Sequence, residues 1–279
     1  MVFLLSIFIE LIINLNNILR MKGFYDRNGY FSPLKIYNVK EANFFRNKLE
    51  DSEKKLGKLH YIVKTYTIMK WVYEIATNKI LLDFVEEIIG KNILLYNATF
   101  IIKEPNTKTH VSWHQDLTYW GFDNNEKQVS AWLALSKAND QSGCMQMIPG
   151  SHKNGFFEHH STEDKNNVLS RGQTVKDIDI NKAVSCPLEP GEVSFHHGLT
   201  LHASQPNFSN DRRIGLNFQF ISTDMKQLKS KNDSAICVRG KDTFNNFKTD
   251  TLAKDDFDHD AYQHLLELNN HYNETIRKN

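Results

Sequence analysis

At LLYNATFIIK, residues 94–103, the hydrophobic period of the sequence changes from 3.6 to 2. Turn-forming clusters separate this run from later short runs that are rich in β-branched and aromatic residues. The later runs are 129–135 (VSAWLAL), 143–149 (GCMQMIP), 191–197 (GEVSFHH) and 213–221 (RIGLNFQFI). Several short strands after a helical beginning predict an α+β protein with a β-sandwich or jelly-roll core.

Helical patterns flank these strands. Asn38 followed by Glu41 is typical of a capping box, which predicts that a helix begins there. Apolar residues within 80–89 form a wide helical stripe that ends at Gly90, which predicts a second, buried helix. The tail repeats apolar residues at helical spacing: Ala261, Leu265, Leu268 and Tyr272. We therefore expect a C-terminal helix packed on the outside of the core.

The composition excludes several protein classes. The chain has 279 residues, of which 40% are hydrophobic and 24% charged, so collagen-like, low-complexity and disordered chains are excluded. Because 34 basic residues balance 33 acidic ones, nucleic acid is not an expected partner. The cysteines Cys144, Cys186 and Cys237 form no C-x-x-C pair, which argues against a disulfide framework or a thiolate zinc site and favours a cytoplasmic protein.

Residues 1–20 are apolar enough to resemble a targeting segment. However, Glu10 interrupts the run, no basic region precedes it and no small-residue cleavage site follows it. We expect a dispensable extension with Met21 as the initiator; a packed amphipathic helix and a membrane anchor are the alternatives. Residues 21–279 are predicted to be a single domain, because no repeat or linker divides them.

The sequence WHQD at 113–116 follows a predicted strand. Residues i and i+2 of an extended chain face the same way, so His114 and Asp116 can direct an imidazole nitrogen and a carboxylate oxygen to one point. They match two of the three ligands of a two-His-one-carboxylate triad, which leaves coordination positions free on ferrous iron. A chain with 12 His and 33 acidic residues is expected to contain such a pair by chance, so the pair alone is weak evidence.

A second group of residues lies further along the chain. His202 precedes Arg213 by 11 residues, and Arg213 begins a strand on which it shares a face with Gly215, Asn217 and Gln219. Alternation alone leaves two interpretations open. The face meets solvent, or it lines a cavity in which a fixed guanidinium holds a carboxylate.

Five ordered motifs resemble one family. They are WHQD at 113–116, SAWLAL at 130–135, SGCMQMIPGSH at 142–152, LHASQPN at 201–207 with Arg213, and VRGKDTF at 238–244. Together they are similar to the phytanoyl-CoA dioxygenase (PhyH) family of non-haem iron(II), 2-oxoglutarate-dependent oxygenases. The resemblance extends from Gly23 to Phe247, which covers nearly the whole predicted domain.

The resemblance implies a set of roles. His114, Asp116 and His202 would ligate Fe(II), and Arg213 would pair with the distal carboxylate of 2-oxoglutarate, supported by Ser204 and Trp132. The implied reaction consumes O2 and 2-oxoglutarate, releases succinate and CO2, and hydroxylates a C–H bond. The implied fold is a double-stranded β-helix with flanking helices, in agreement with the strand pattern, and 21–279 would be the oxygenase domain.

Two alternatives remain. Related chlorinating enzymes replace the metal-binding carboxylate with a small residue, whereas this chain keeps Asp116, so hydroxylation is favoured over halogenation. A non-catalytic β-helix protein that binds a small ligand is the alternative from another class. His197 is the competing candidate for the position that we assign to His202, and His196 is expected to pack or to line the pocket.

The substrate is expected to be a small, polar, amino-acid-like or aminophosphonate-like metabolite. The candidate contacts are Gln115, Tyr119, Lys103, Asn217 and Arg239, with Gln219 as a further polar neighbour. Each has a structural alternative: aromatic residues near strands pack in cores, and a lysine on an edge strand meets solvent. The polar run Glu158-His159-His160 is expected to be solvated. Neither a membrane partner nor a particular oligomeric state is predicted.

Overall fold

Helices form most of the chain before residue 90. The computed structural model describes residues 17–169, 172–256 and 258–277. Helix α1 covers 17–28, and it is followed by strand β1 (Tyr30–Lys35) and helices α2 (Val39–Leu56), α3 (Lys70–Ala76) and α4 (Lys79–Ile89). The capping box is confirmed, since Glu41 N donates to Asn38 Oδ1 over 3.0 Å and Asn38 N donates to Glu41 Oε2 over 2.8 Å. Helix α4 ends at Gly90, as predicted.

The strands that follow are β2 (Ile93–Lys103), β3 (Val111–His114), β4 (Gln128–Ala134), β5 (Met145–Met147), β6 (His159–Ser161), β7 (Gln173–Val175), β8 (Val184–Cys186), β9 (Glu192–His196), β10 (His202–Ser204), β11 (Arg213–Ser222), β12 (Ser234–Arg239) and β13 (Lys248–Thr249). Each of the five predicted runs contains a strand, namely β2, β4, β5, β9 and β11, whereas the other strands that follow were not predicted from the periodicity. Two more helices are α5 (Leu117–Trp120) and α6 (His259–Arg277).

The strands form a larger and a smaller antiparallel sheet with a cavity between them. The larger has the order β1-β9-β4-β11-β2-β12-β13, in which only the last pair is parallel, and the smaller has the order β3-β10-β5-β8. Strands β6 and β7 make a separate hairpin-like pair. The predicted α+β fold with a double-stranded β-helix core and flanking helices is confirmed.

Side-chain alternation on β11 separates the core from the cavity. Ile214, Leu216 and Phe218 are fully buried in the main hydrophobic cluster, which the N-terminal helices cover. The opposite face carries Arg213, Asn217 and Gln219, and it lines the cavity. The cavity interpretation of this polar face is therefore correct and the solvent interpretation is wrong. Burial of the apolar face fixes the register of the strand, and with it the positions of the polar side chains.

The described residues begin at 17 and end at 277 of the C-terminal helix. The predicted extension at 1–20 falls mostly on residues 1–16, which lie outside the described residues, while 17–20 belong to α1. Helix α6 buries Leu265 and Tyr272, as its spacing predicts. It does more than cover the core, because its last turns also line the cavity. Among the described residues, no helix is both long and apolar enough to cross a bilayer.

Candidate metal and cosubstrate site

The two predicted imidazole ligands lie on paired strands of the smaller sheet. His202 of β10 is the direct partner of His114 of β3, and their ring centroids are 4.1 Å apart. In each ring, Nδ1 lies 2.9 Å from the carbonyl oxygen two residues earlier, on Ser112 and Thr200 respectively. An Nδ1–H that donates to this carbonyl leaves Nε2 with its lone pair free for a metal.

Asp116, the residue immediately before α5, is the third member of the cluster. Its Oδ1 lies 3.5 Å from His114 Nε2 and 3.7 Å from His202 Nε2. One ligand atom from each of the three side chains lies within 4.8 Å of the other two. Two imidazoles and a carboxylate in this arrangement fit a ferrous ion with open coordination positions.

The second carboxylate oxygen of Asp116 is also held. Ser130 Oγ of β4 donates to Oδ2 over 3.0 Å, and His196 Nε2 of β9 lies 3.2 Å from the same atom. His196 therefore orients the carboxylate. His197 lies apart from this cluster, because its Nδ1 accepts from Leu199 N and its Nε2 faces Glu126.

The protonation states suit a metal site. Burial raises the pKa of Asp116, but the contacts with His114 and His196 and the charge of His202 outweigh burial and leave the pKa well below its ordinary value. Burial, followed by repulsion from His114 and His196, lowers the pKa of His202 well below its ordinary value. A carboxylate and a neutral imidazole are the forms that bind a metal ion.

Arg213 is buried in the same cavity, with an exposed fraction of 2%. Its guanidinium carbon lies 5.2 Å from the centre of the Trp132 ring. Its Nε and Nη2 have no hydrogen-bond partner within the described part of the chain. Burial lowers the pKa of Arg213 to about 10, which leaves the group charged at neutral pH. A buried cation with unpaired donors requires an anion, and a dicarboxylate supplies one.

Gly215 makes room for this arrangement. A Cβ atom at this position would lie 1.8 Å from Trp132 Cζ2, so only glycine lets the indole ring cross the backbone of β11. The ring in turn supports the face of the Arg213 guanidinium.

Lys103 lies opposite Arg213 on the neighbouring strand. Its Nζ donates to Ser204 Oγ over 2.7 Å and to the Ser204 carbonyl over 3.0 Å, and it also contacts the Gln205 carbonyl. Burial, with repulsion from Arg213, lowers the pKa of Lys103 to about 6. Lys103 is therefore buried and holds β10, which excludes the solvent-facing alternative.

The cavity has a volume of about 390 Å³ and is lined from both sheets and from α6. Among the predicted site residues, those that line it are His114, Asp116, Tyr119, Trp132, His202, Ser204, Arg213, Asn217 and Gln219. The sequence did not point to several other lining residues: Tyr61, Asn97, His196 as the Asp116 partner, Tyr272, Asn273 and Arg277. Trp120, which flanks the metal pair in the sequence as a candidate wall of the substrate site, also lines the cavity.

Like Lys103, two further predicted substrate contacts do not line the cavity. The Gln115 amide is buried and bonds to main-chain groups of Gly155, Leu199 and Phe157, so it holds loops together. Arg239 lies 2.9 Å from each of two carboxylates of α4, Asp83 and Glu86. Neither residue is part of the proposed substrate site.

The expectation of a solvated His159 is also corrected. Its Nε2 accepts from Gln115 N over 3.1 Å, and its ring packs against Tyr119 with the centroids 5.9 Å apart. His159 therefore supports the loop that carries Asp116. Neither His159 nor His160 belongs to the metal-binding cluster found among the described residues.

Comparisons with known proteins agree with this geometry. Residues 31–215 match the family model described as phytanoyl-CoA dioxygenase (PhyH). The peroxisomal phytanoyl-CoA dioxygenase of Homo sapiens is 27% identical over 206 residues, which cover 72% of this chain and 60% of the human enzyme. A probable alpha-ketoglutarate-dependent hypophosphite dioxygenase of Stutzerimonas stutzeri is 26% identical over 184 residues, 64% of each chain. The chain thus spans less than two thirds of these relatives.

Solved structures show the same fold. The apo form of the non-haem monooxygenase ThoJ superposes with a TM-score of 0.80 at 25% identity, over 91% of this chain and 96% of ThoJ. The epimerase SnoN, solved with Fe3+, alpha-ketoglutarate and nogalamycin RO, has a TM-score of 0.64 at 18% identity, over 76% of this chain and 86% of SnoN. The family match covers more than half of the chain and includes the residues of the clustered site. The chain belongs to the phytanoyl-CoA dioxygenase (PhyH) family.

Proposed function

We propose that this protein is an iron(II)- and 2-oxoglutarate-dependent dioxygenase that hydroxylates a C–H bond of a small polar metabolite. One observation carries the proposal. The triad of His114, Asp116 and His202 shares a single cavity with the unpaired guanidinium of Arg213. A bound ferrous ion and 2-oxoglutarate would supply the oxidative decarboxylation that yields succinate, CO2 and the oxidising power for the substrate.

The chain's own residues bind and orient these groups. His114, Asp116 and His202 would hold the ion, and His196 with Ser130 would fix the direction of the Asp116 carboxylate. Arg213 would form a paired hydrogen bond with the distal carboxylate of 2-oxoglutarate. Trp132 and Gly215 support that guanidinium, and Lys103 fixes Ser204 beside it.

Hydroxylation is favoured over halogenation by the same carboxylate. Asp116 places an oxygen within 3.7 Å of both imidazole nitrogens, so the chain itself would supply the ligand that a halide would have to replace. Its other carboxylate oxygen contacts Ser130 and His196, which hold it in this orientation.

The size and polarity of the cavity support an amino-acid-like or aminophosphonate-like substrate. About 390 Å³ must hold 2-oxoglutarate together with the substrate, which favours a small molecule. Asn217, Gln219 and Asn273 offer amides to the cavity, and Arg277 of α6 adds a second cation to its lining. We further propose a cytoplasmic location, because Cys144, Cys186 and Cys237 are free thiols.

Anaerobic spectroscopy tests the cofactor assignment. Addition of Fe(II) and 2-oxoglutarate should give the weak visible charge-transfer band of chelated 2-oxoglutarate. His114→Ala should abolish the band and leave the circular dichroism spectrum unchanged. His264→Ala, on the exposed side of α6, is the matched control and should retain the band. A folded wild-type protein without the band contradicts the proposal.

Succinate formation then tests the substrate class. Amino acids, aminophosphonates and acyl-CoA esters are supplied with Fe(II), O2 and 2-oxoglutarate, and products are identified by mass spectrometry. We expect succinate and a product heavier by one oxygen from an amino-acid-like or aminophosphonate-like compound. A chlorinated product without any hydroxylated one would reverse the choice between hydroxylation and halogenation.

A further inference from the structure

We infer that Asn217 and Gln219 form a substrate subsite that binds a primary ammonium group. The inference deepens the proposed function, since it takes the cavity to be the active site. Both side chains line the cavity, with exposed fractions of 8% and 5%. Their carbonyl oxygens, Asn217 Oδ1 and Gln219 Oε1, have no hydrogen-bond partner within the ranges that the structure describes. Buried acceptors without a partner destabilise the protein, so each is expected to gain one when a ligand binds.

Along β11, the hydrogen-bonding groups without a partner are donors at the start of the strand and acceptors further along it. At its start, Arg213 has unpaired donors, whereas Asn217 and Gln219, four and six residues further on the same face, have unpaired acceptors. At neutral pH, 2-oxoglutarate has acceptors only, in its two carboxylates and its keto group. It can satisfy Arg213 and cannot satisfy either amide oxygen. Water can supply these donors in the free protein, and in the complex the partner of the amide oxygens is a donor on a different molecule, the substrate.

The donor is assigned to an ammonium group for two reasons. Residues i and i+2 of a strand are about 7 Å apart, and an ammonium group with three donors can bridge two acceptors, whereas a hydroxyl has one donor. Aromatic rings also line the cavity. Trp120 and Tyr272 border it together with Gln219. Aromatic faces attract cations.

The register of the sheet places this subsite beside the metal ligands. Gln219 is the direct cross-strand partner of Ser130, and Ser130 donates to Asp116. Side chains of such partners are neighbours on the same face of a sheet. An amine held by Gln219 therefore brings the C–H bonds within a few atoms of its nitrogen close to the metal centre. This predicts hydroxylation near the amine and not at a remote end of the substrate.

Calorimetric binding to the wild-type protein, with and without Fe(II) and 2-oxoglutarate under anaerobic conditions, tests the inference. The probes are a panel of primary amines: the common amino acids, aminophosphonates and diamines. For each amine that binds, the N,N,N-trimethyl derivative and the amine-free analogue are measured too. We expect the primary amine to bind roughly 10- to 100-fold more tightly than both, because the trimethyl derivative keeps the charge and lacks the N–H donors.

Equal affinity of the trimethyl or amine-free analogue overturns the inference, and so does a panel without any amine that binds. Neither result contradicts the proposed function. The proposed function is contradicted instead if Fe(II) and 2-oxoglutarate give no charge-transfer band. Because amine binding is also measured without metal, a failure of the amine subsite is distinguished from a failure of the iron and 2-oxoglutarate site.

Variants localise the subsite. Gln219→Leu and Asn217→Leu should each weaken binding of the best amine by roughly 10-fold or more, because each removes one acceptor for a charged donor. Gln219→Glu keeps the shape and the acceptor and should retain binding. Gln263→Leu, on the exposed side of α6, is the control for loss of an amide. Unchanged amine affinity in both Leu variants overturns the inference. If a Leu variant fails to fold, as melting curves will show, the ligand series still decides.

Discussion

His114 and His202 are direct cross-strand partners on β3 and β10, and their ring centroids are 4.1 Å apart. Strand pairing therefore brings the two imidazoles together, and the hydrogen bonds to Ser112 and Thr200 fix their orientation. Only Asp116, on the turn into α5, comes from outside the sheet. A site built by strand pairing needs little rearrangement to accept an ion, and preorganisation of this kind raises affinity.

His196→Leu is expected to weaken Fe(II) binding by roughly 10- to 100-fold, because it removes the hydrogen bond that orients Asp116. His196→Gln retains an N–H donor and should recover part of the affinity. The measurement is anaerobic Fe(II) titration. His160→Leu is the control, since His160 lies outside the cluster. Equal iron affinity in the wild type and His196→Leu would show that the contact does not position the carboxylate.

Gly215→Ala is expected to displace Trp132, because the new Cβ would lie 1.8 Å from the indole ring. Overpacking of this kind costs about 1–3 kcal/mol of stability. Since Arg213 rests on the same ring, the affinity for 2-oxoglutarate should fall as well, by about tenfold. Chemical denaturation and 2-oxoglutarate titration measure the two effects.

Gly23→Ala is the control for this substitution. Gly23 lies within α1, and an added Cβ would meet its nearest atom at an ordinary 3.6 Å. Alanine in a helix should stabilise the protein by up to about 1 kcal/mol. Normal cosubstrate affinity in Gly215→Ala would disprove the link between the glycine and the arginine.

Lys103 gives a pH dependence of stability with a defined sign. Burial lowers the pKa of its folded form to about 6, whereas the pKa of an unfolded lysine is about 10.4. Between these values the unfolded chain binds more protons, so the free energy of unfolding rises with pH across this window. Below pH 6 both forms are protonated and the dependence ends.

Lys103→Met removes this contribution. Urea denaturation at several pH values from 6 to 9 should show a smaller increase in the free energy of unfolding for the variant than for the wild type. Lys254→Met, at an exposed position, is the control and should keep the wild-type slope. Equal slopes in Lys103→Met and the wild type would contradict the lowered pKa.

Arg277→Gln is expected to weaken binding of an anionic substrate, because Arg277 places a cation at the α6 side of the cavity. The group is solvent-exposed, so the effect should be modest, up to about fivefold, and should shrink at high salt. KM for the substrate is the quantity to measure, at low and high ionic strength, with Lys254→Gln as the control. A KM unchanged at low salt would place the substrate anion elsewhere.

Hydrophobic periodicity predicted the strands of the core because one face of each strand is buried. On β11, the alternation of Ile214, Leu216 and Phe218 fixed the register and thereby brought Arg213, Asn217 and Gln219 to one face. Alternation could not tell whether that face meets water or a cavity, because both surroundings accept polar side chains. The second sheet, which closes the cavity, settles the point.

Local sequence patterns could not predict contacts between residues that lie far apart in the sequence. His196 was expected to pack or line the pocket, and its bond to Asp116 joins two residues that lie 80 positions apart in the sequence. Arg239 was expected to contact the substrate, yet it forms its ion pairs with α4. The apolar spacing of α6 predicted that Tyr272 lies on a buried face of the helix. The spacing could not show that this face also lines the cavity.

Helix α6 lies beyond residues 31–215, the segment that matches the family. The proposed iron ligands and Arg213 lie within that segment, whereas Tyr272, Asn273 and Arg277 border the cavity from outside it. Under the proposed function, we expect mutations in the last turns of α6 to alter which compound is accepted and to leave the proposed oxygen-activating residues intact. Evolution of new preferences, and laboratory redesign of them, has a natural starting point at this carboxyl-terminal segment.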